Sequence, residues 1–210
     1  ELRTADLRFT QAEATNLLRG VWEFDLSEKS VASLEERTEG WVTGLQLAAL
    51  SLRGTTDQSG FIREFSGSNR YILDYLSEEV LERQPEAARS FLYKTSVLDQ
   101  LCGSLCNAIT GRSDGQVMLE RLERGNLFLE SLDEERHWYR YHPLFADLLL
   151  VRLQSTNPEQ VSVLHSKAAA WYEANEMVRE ALRHALAAGE AVWAAQMVEQ
   201  HVEDLLFLIK

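Results

Sequence analysis

The sequence predicts a mainly α-helical chain broken by a single β-hairpin, and three observations predict it. Apolar residues recur at helical spacing through most of the 210 residues. Convincing strand character occurs in one place, where the runs Leu127 to Leu132 and His137 to Tyr141 flank the charged tetrad Asp133, Glu134, Glu135 and Arg136. From about Pro158 onward the chain turns to closely spaced small residues that suit packed helical hairpins. Helices that lead into one hairpin describe a winged helix. The predicted class is therefore a helical bundle plus a winged helix with one β-hairpin, followed by tetratricopeptide-like helical hairpins.

The elements follow in order. After a short extended start, Thr10 and Glu13 have the Ser/Thr-x-x-Glu spacing of a capping box and launch a helix through Leu17 and Leu18, with Gly20 near its end. Ser27 caps the next helix, with Val31 and Leu34 on one face. Thr38-Glu39-Gly40-Trp41 then breaks the pattern before an apolar helix through Leu45, Leu47, Ala48, Leu50 and Leu52. This bundle is assigned to residues 1–60 and closes in the polar link Gly54 to Gly60.

A second helical run begins near Phe61 and carries Tyr71, Ile72, Tyr75, Leu76, Val80 and Leu81. Pro85 opens a helix with Phe91, Leu92 and Val97; the next runs from Leu101 to Ile109 and stops at Gly111. Gln116 to Arg124 follows Asp114, with Met118, Leu119 and Leu122 inward and Gly125 as a left-handed stop. After the hairpin, His142 and Pro143 start a helix, since Pro favours the first turn, and Leu144, Phe145, Leu148, Leu149 and Val151 give it an apolar stripe. The winged helix is assigned to residues 61–155.

Residues 156–210 are read as the start of a helical repeat arm. Val161, Leu164, Ala168, Trp171 and Tyr172 pack one helix, Ala181, Leu182, Ala185 and Leu186 the next, and Ala191, Ala194, Ala195 and Val198 a third beyond Gly189. Such arrays need about three repeats for stability. With Glu1 in place of Met and the apolar run Leu205 to Ile209 at its end, the chain is expected to be a piece of a longer polypeptide.

Charge narrows the function classes. The net charge is -12, and residues 1–65, 66–155 and 156–210 hold 7, 10 and 4 basic against 11, 14 and 8 acidic side chains. Each part is net -4, so none offers the cationic face that a phosphate backbone demands. The helix before the hairpin is where a winged helix would read DNA, yet Glu120, Arg121, Glu123 and Arg124 cancel one another and the wing tip is acidic. No direct nucleic-acid binding by this segment is expected. No apolar run approaches the roughly 20 residues of a membrane span, and a cytoplasmic location without membrane contact is expected.

The residues just traced carry a family resemblance. Thr38-Glu39-Gly40-Trp41 with Leu45 to Leu50, then Leu73 to Leu81, Leu119 to Leu129, Tyr141-His142-Pro143-Leu144-Phe145 and finally Glu180 to Gly189 resemble, in order and across nearly the whole chain, the middle of the large MalT-like, LuxR-family transcription regulators of the STAND class of nucleotide-switch ATPases. The resemblance implies a parent protein in which a P-loop domain binds ATP or ADP, a helical domain and a winged helix close over it, a repeat domain senses an inducer, and a helix-turn-helix binds DNA. It implies that this segment is the switch and the start of the sensor arm. Its partners would be its own N-terminal nucleotide-binding domain, its C-terminal sensor and DNA-binding domains, and a small-molecule inducer or regulatory protein.

No Gly-x-x-x-x-Gly-Lys-Ser/Thr occurs, so the segment is not expected to be an enzyme or to hold a cofactor by itself. Three cofactor-binding candidates are implied by the resemblance. Gly40 and Trp41 occupy the helical-domain position beside the adenine, although Trp stands where relatives have Pro; a helix start with a core tryptophan is the plainer alternative. His142 resembles the winged-helix histidine that contacts the ADP β-phosphate, and a helix cap is its plainer alternative. An imidazole donor would favour the diphosphate state by a charge-assisted hydrogen bond.

Other groups stay at background. Cys102 and Cys106 suit neither a zinc ribbon nor a disulfide framework and read as buried small residues. Glu78-Glu79 and Glu134-Glu135 read as solvated faces, Ser104 lacks a nucleophile elbow, and His165, His184 and His201 read as separate positions on helical faces without ligand spacing. The rival functions are a DNA-binding winged-helix module and a helical-repeat protein-interaction scaffold, the latter favoured if Trp171 and Tyr172 were exposed on a groove.

Overall fold

The computed structural model describes residues 8–53, 55 and 57–201. Parts of three expectations lie outside them: the extended start before Arg8, Gly54 and Thr56 of the polar link, and the apolar run Leu205 to Ile209. Among the described residues the chain is helical with one two-stranded antiparallel hairpin, the class that the periodicity predicts. It divides into two compact units. The first takes residues up to Gln84 together with His142–Leu148, and the second takes Pro85–Tyr141 and Leu149 onward. This division differs from the boundaries at 60 and 155 expected from composition, because the chain leaves the first unit after a run of short helices and returns to it for seven residues.

The first unit begins with α1 (Gln11–Thr15), whose capping box forms as expected: the Glu13 N–H reaches Thr10 Oγ1 at 3.4 Å, and the Thr10 N–H reaches the Glu13 carboxylate at 2.9 Å. The Thr10 N–H, and then the Thr10 hydroxyl, which donates to the same carboxylate at 2.8 Å, hold Glu13 below the usual carboxylate pKa. The helix widens into a π-turn, Asn16–Val21. Helix α2 (Glu28–Thr38) starts on Ser27, whose hydroxyl accepts the Ser30 N–H, and buries Val31 and Leu34. Helices α3 (Val42–Leu52), α4 (Gln58–Glu64) and α5 (Arg70–Tyr75) follow, the last passing into the π-turn Leu76–Leu81. Leu45, Ala48 and Leu52 are buried as their spacing predicts, whereas Leu50 lies on the outer face at 41% exposure.

The second unit holds three helices and the hairpin of the winged helix. Helices α6 (Glu86–Thr95), α7 (Gly103–Thr110) and α8 (Gly115–Arg124) precede strands β1 (Leu129–Ser131) and β2 (Tyr139–Tyr141), paired Leu129 with Tyr141 and Ser131 with Tyr139. Tyr139 also exchanges two 2.8 Å backbone hydrogen bonds with Leu101 on its other side. A third extended residue thus completes the sheet of the wing. Helices α7 and α8 approach closely: a Cβ on Gly115 would lie 2.5 Å from the Gly103 carbonyl oxygen. One expectation is corrected at the end of α8. Gly125 has φ of -80° and is not left-handed; the chain turns at Asn126, φ 51°, a residue type that tolerates this region because its short amide bonds locally.

Helix α9 (Pro143–Thr156) gives its first turns to the first unit and the remainder to the second. Its apolar stripe ends on Leu153 rather than Val151. Helices α10 (Pro158–Ala174), α11 (Val178–Ala187) and α12 (Ala191–Gln200) complete the second unit. The pairs His165 with His184 and Tyr172 with Met177 make α10 and α11 antiparallel. Leu164, Ala168, Tyr172, Ala181, Ala185 and Ala194 are buried, while Leu186 and Val198 face outward and Met197 takes the inner position.

Candidate functional site

The three residues singled out by sequence lie together in the first unit, where α2 ends, α3 begins and α9 begins. The break at 38–41 is a Schellman-type stop, with Gly40 N–H bonded to the Glu35 carbonyl at 3.1 Å and Glu39 N–H to Glu36 at 3.3 Å. Glu39 and Gly40 both take left-handed backbone, φ 47° and 71°. At Gly40 a Cβ would collide with the Phe9 carbonyl oxygen, and the Gly40 carbonyl accepts the Phe9 N–H at 2.8 Å. Only glycine meets both demands.

Trp41 then caps α3 and donates its backbone N–H to the Thr38 carbonyl at 2.8 Å. Its ring lies over Gly44, where a Cβ would come within 2.6 Å of Cε3. The same ring meets Tyr75 at 5.9 Å and the His142 imidazole edge-on at 6.0 Å.

His142 is 8% exposed and uses both ring nitrogens. Its Nδ1 accepts the Leu144 N–H at 3.3 Å, and its carbonyl accepts the Ala146 N–H at 3.0 Å, which starts α9. Because Nδ1 accepts, the proton of the neutral ring sits on Nε2, and that N–H donates to the Thr38 carbonyl at 2.9 Å. His142 is therefore a helix cap, the plainer alternative, and also a bridge across 104 residues to the end of α2. Asp147, one turn further along α9, accepts the Gly67 N–H at 3.1 Å and ties that helix to the loop before α5.

On the face where a winged helix would meet DNA, three of the cations are engaged by carboxylates. Arg124 pairs with Glu120 at 2.8 Å, Arg136 with Glu123 at 3.6 Å, and Arg140 with Glu130. Gln116, the amide best placed to read a base, is held by the Arg136 carbonyl at 3.0 Å and the Tyr139 hydroxyl at 3.3 Å. The wing tip folds on Asp133, whose carboxylate accepts the N–H groups of His137 and Trp138 at 2.7 and 2.9 Å.

Cys102 and Cys106 are buried free thiols, and burial raises the pKa of Cys106 far above its ordinary value. Tyr172 is buried rather than displayed on a groove. One expectation fails outright: His165 and His184 are not separate, for their Nδ1 atoms lie 2.8 Å apart. Their mirror positions about the turn after Ala174 carried that signal, since antiparallel helices place residues of equal distance from the turn side by side. Among the described residues no helix is long and apolar enough to cross a membrane, and no group of three or more His, Cys, Asp or Glu could hold a metal.

Comparison with known proteins agrees with this geometry. Residues 77–161 match the MalT winged helix domain family. The chain is 40% identical over 205 residues, 98% of its length, to the serine/threonine-protein kinase PknK of Mycobacterium tuberculosis, of which it covers 18%. It is 34% identical over 203 residues, 96% of its length, to the HTH-type transcriptional regulator MalT of Klebsiella pneumoniae, of which it covers 22%. The chain thus spans about a fifth of the length of these relatives. Residues 77–161 form a winged helix domain of the MalT family, within a chain related over nearly all of its length to segments of MalT and PknK.

Proposed function

We propose that this chain is the regulatory segment of a signal-responsive, ATP-dependent transcription activator, coupling nucleotide state and inducer sensing through contacts between domains. One observation carries the proposal: Trp41 and His142, picked out by separate motifs, converge on the single carbonyl of Thr38, two residues before Gly40. In this arrangement the His142 Nε2–H donates to a neutral backbone oxygen. A phosphate oxygen of ADP is a stronger, charged acceptor for the same donor, so the ring exchanges one partner for the other as nucleotide comes and goes. The chain contributes recognition and positioning, and the chemistry of ATP belongs to a P-loop domain outside these residues. The carboxylate-paired cations of α8 and the wing support a latch rather than a DNA reader.

A kinase output is the second possibility, favoured by the 40% identity to a protein named as a serine/threonine-protein kinase. The latch would be the same, and its release would gate phosphoryl transfer to protein instead of transcription.

The test is ADP affinity of the full-length protein by calorimetry, wild type against His142→Asn. Asparagine is a strong helix N-cap, so it keeps the start of α9 and removes the Nε2 donor. Affinity is expected to fall about tenfold or more, equivalent to ~1.4 kcal/mol. Unchanged affinity in a folded variant removes His142 from nucleotide recognition and the latch with it.

A further inference from the structure

The α10–α11 hairpin holds a set of titratable groups that the nucleotide latch does not use. His165 on α10 and His184 on α11 meet Nδ1 to Nδ1 at 2.8 Å. His184 is 1% exposed and stacks on Tyr172, ring centroids 5.3 Å apart. Its Nε2 lies 3.2 Å from the Arg183 guanidinium, which is ion-paired to Asp99.

The protons on this chain of groups follow from what each can do. A guanidinium only donates, so His184 Nε2 must accept and carries no proton. The neutral His184 ring then holds its proton on Nδ1 and donates it to His165 Nδ1, which leaves the His165 proton on Nε2. The donors run in series from Arg183 to His184 to His165. A second proton on either ring would set N–H against N–H, at Arg183 or between the two histidines.

We propose that this series is an acid-release latch: neutral His165 and His184 hold α10 to α11, and one proton taken up by either ring breaks the pair and loosens the hairpin. Its surroundings favour the neutral rings. From α10 come Tyr172 and Lys167, the latter donating to the Ile109 carbonyl at 3.4 Å. From α11 come Arg183 and Glu180, and Glu180 acts on the Tyr172 hydroxyl, whose pKa burial raises. The segment 99–102 and α7 contribute Asp99, engaged by Arg183, and the buried thiols Cys102 and Cys106. On α12, Glu199 is exposed. The charges that act on His184 are those of His165 and Arg183, and both oppose a cation there. Protons reach the pair through His165, which is half-buried, whereas His184 is buried.

The sign is fixed by linkage. Burial, then His165 and Arg183, lower the His184 pKa to about 3, and burial lowers that of His165. An unfolded histidine takes its proton near pH 6.5. The stability of the hairpin is therefore complete above about pH 6.5 and declines as pH falls below it.

Amide hydrogen exchange on the full chain between pH 8 and pH 5, corrected for intrinsic rates, tests this, with α8 as internal reference. Protection in α10 and α11 is expected to drop relative to α8 below pH 6.5, by up to about tenfold per pH unit for each proton taken up. The double variant His165→Gln/His184→Gln is expected to show a flat profile. A wild-type profile as flat as the double variant, or ring ¹⁵N shifts showing either histidine protonated near pH 6.5 with the hairpin still protected, overturns the proposal. Arg183→Leu removes the cation and the donor at His184 Nε2, which raises the folded-state pKa of His184 toward the unfolded value, and the loss of protection below pH 6.5 is expected to shrink. An unchanged loss is equally fatal, and it is readable even if the double variant does not fold.

Discussion

At the scale of single residues, His142 shows how one ring can serve the helix it starts and the helix it faces. The Nδ1 cap and the Nε2 donor are separable by substitution. His142→Ala loses both, and the lost cap alone is worth about 0.5–2 kcal/mol. It also leaves the buried Thr38 carbonyl with the Trp41 N–H as its remaining partner among the bonds described above. His142→Asn keeps a cap and loses the bridge. Urea unfolding is expected to rank wild type above His142→Asn above His142→Ala, and equal midpoints for the two variants would show that the cap contributes nothing. The identity of this residue was legible, because His-Pro before an apolar stripe marks a helix start in any sequence. Its partner was not legible. Nothing local in Thr38 announces that its carbonyl meets a ring 104 residues away.

At the scale of elements, the legible features were those with local causes. The capping box at Thr10 and the Ser27 cap each satisfy backbone donors within three residues, so the sequence states them directly. The hairpin was legible from its alternation, but its strands are three residues each rather than five or six. β1 begins only after Phe128, whose φ of 53° is left-handed, and Leu101 pairs with Tyr139 from far along the chain. Likewise the Gly103–Gly115 approach of α7 and α8 arises from tertiary packing that no local pattern encodes, whereas the His165–His184 pair was readable from its mirror positions once the turn after Ala174 was placed. The hairpin is also pinned through side chains. Thr95 Oγ1 donates to the Phe91 carbonyl at 2.8 Å, so the Tyr141 hydroxyl, 2.8 Å away and fully buried, donates to Thr95. Tyr141→Phe removes one buried donor and leaves the ring packing in place. It is expected to cost about 0.5–1.5 kcal/mol in chemical denaturation. No loss at all would mean that β2 is held to α6 by packing alone.

At the scale of the whole molecule, the question is whether a winged helix that carries a recognition helix and a wing must bind DNA. The net charge of -12 sets the long-range field against it. The local field agrees, since Arg124, Arg136 and Arg140 each have a carboxylate partner on α8 or the wing. A DNA-binding protein gains most of its affinity by releasing counterions, and the logarithm of affinity falls with the logarithm of salt by about 0.9 for each phosphate neutralised. An arginine already neutralised by a glutamate releases little, because breaking the pair offsets the phosphate contact. Titration of a fluorescent duplex with this chain at ~50 mM salt, a concentration at which cationic readers bind strongly, is expected to give no saturable binding. Glu120→Gln/Glu130→Gln, which unpairs Arg124 and Arg140, is the sharper probe. If the face is merely masked, the double variant acquires binding with a slope near two phosphates; if the whole field forbids DNA, it stays silent at a net charge still of about -10, by removal of two acidic charges. Silence is the expected result. Saturable, salt-steep binding by the unmutated chain would make the winged helix a DNA reader and displace the latch as its role.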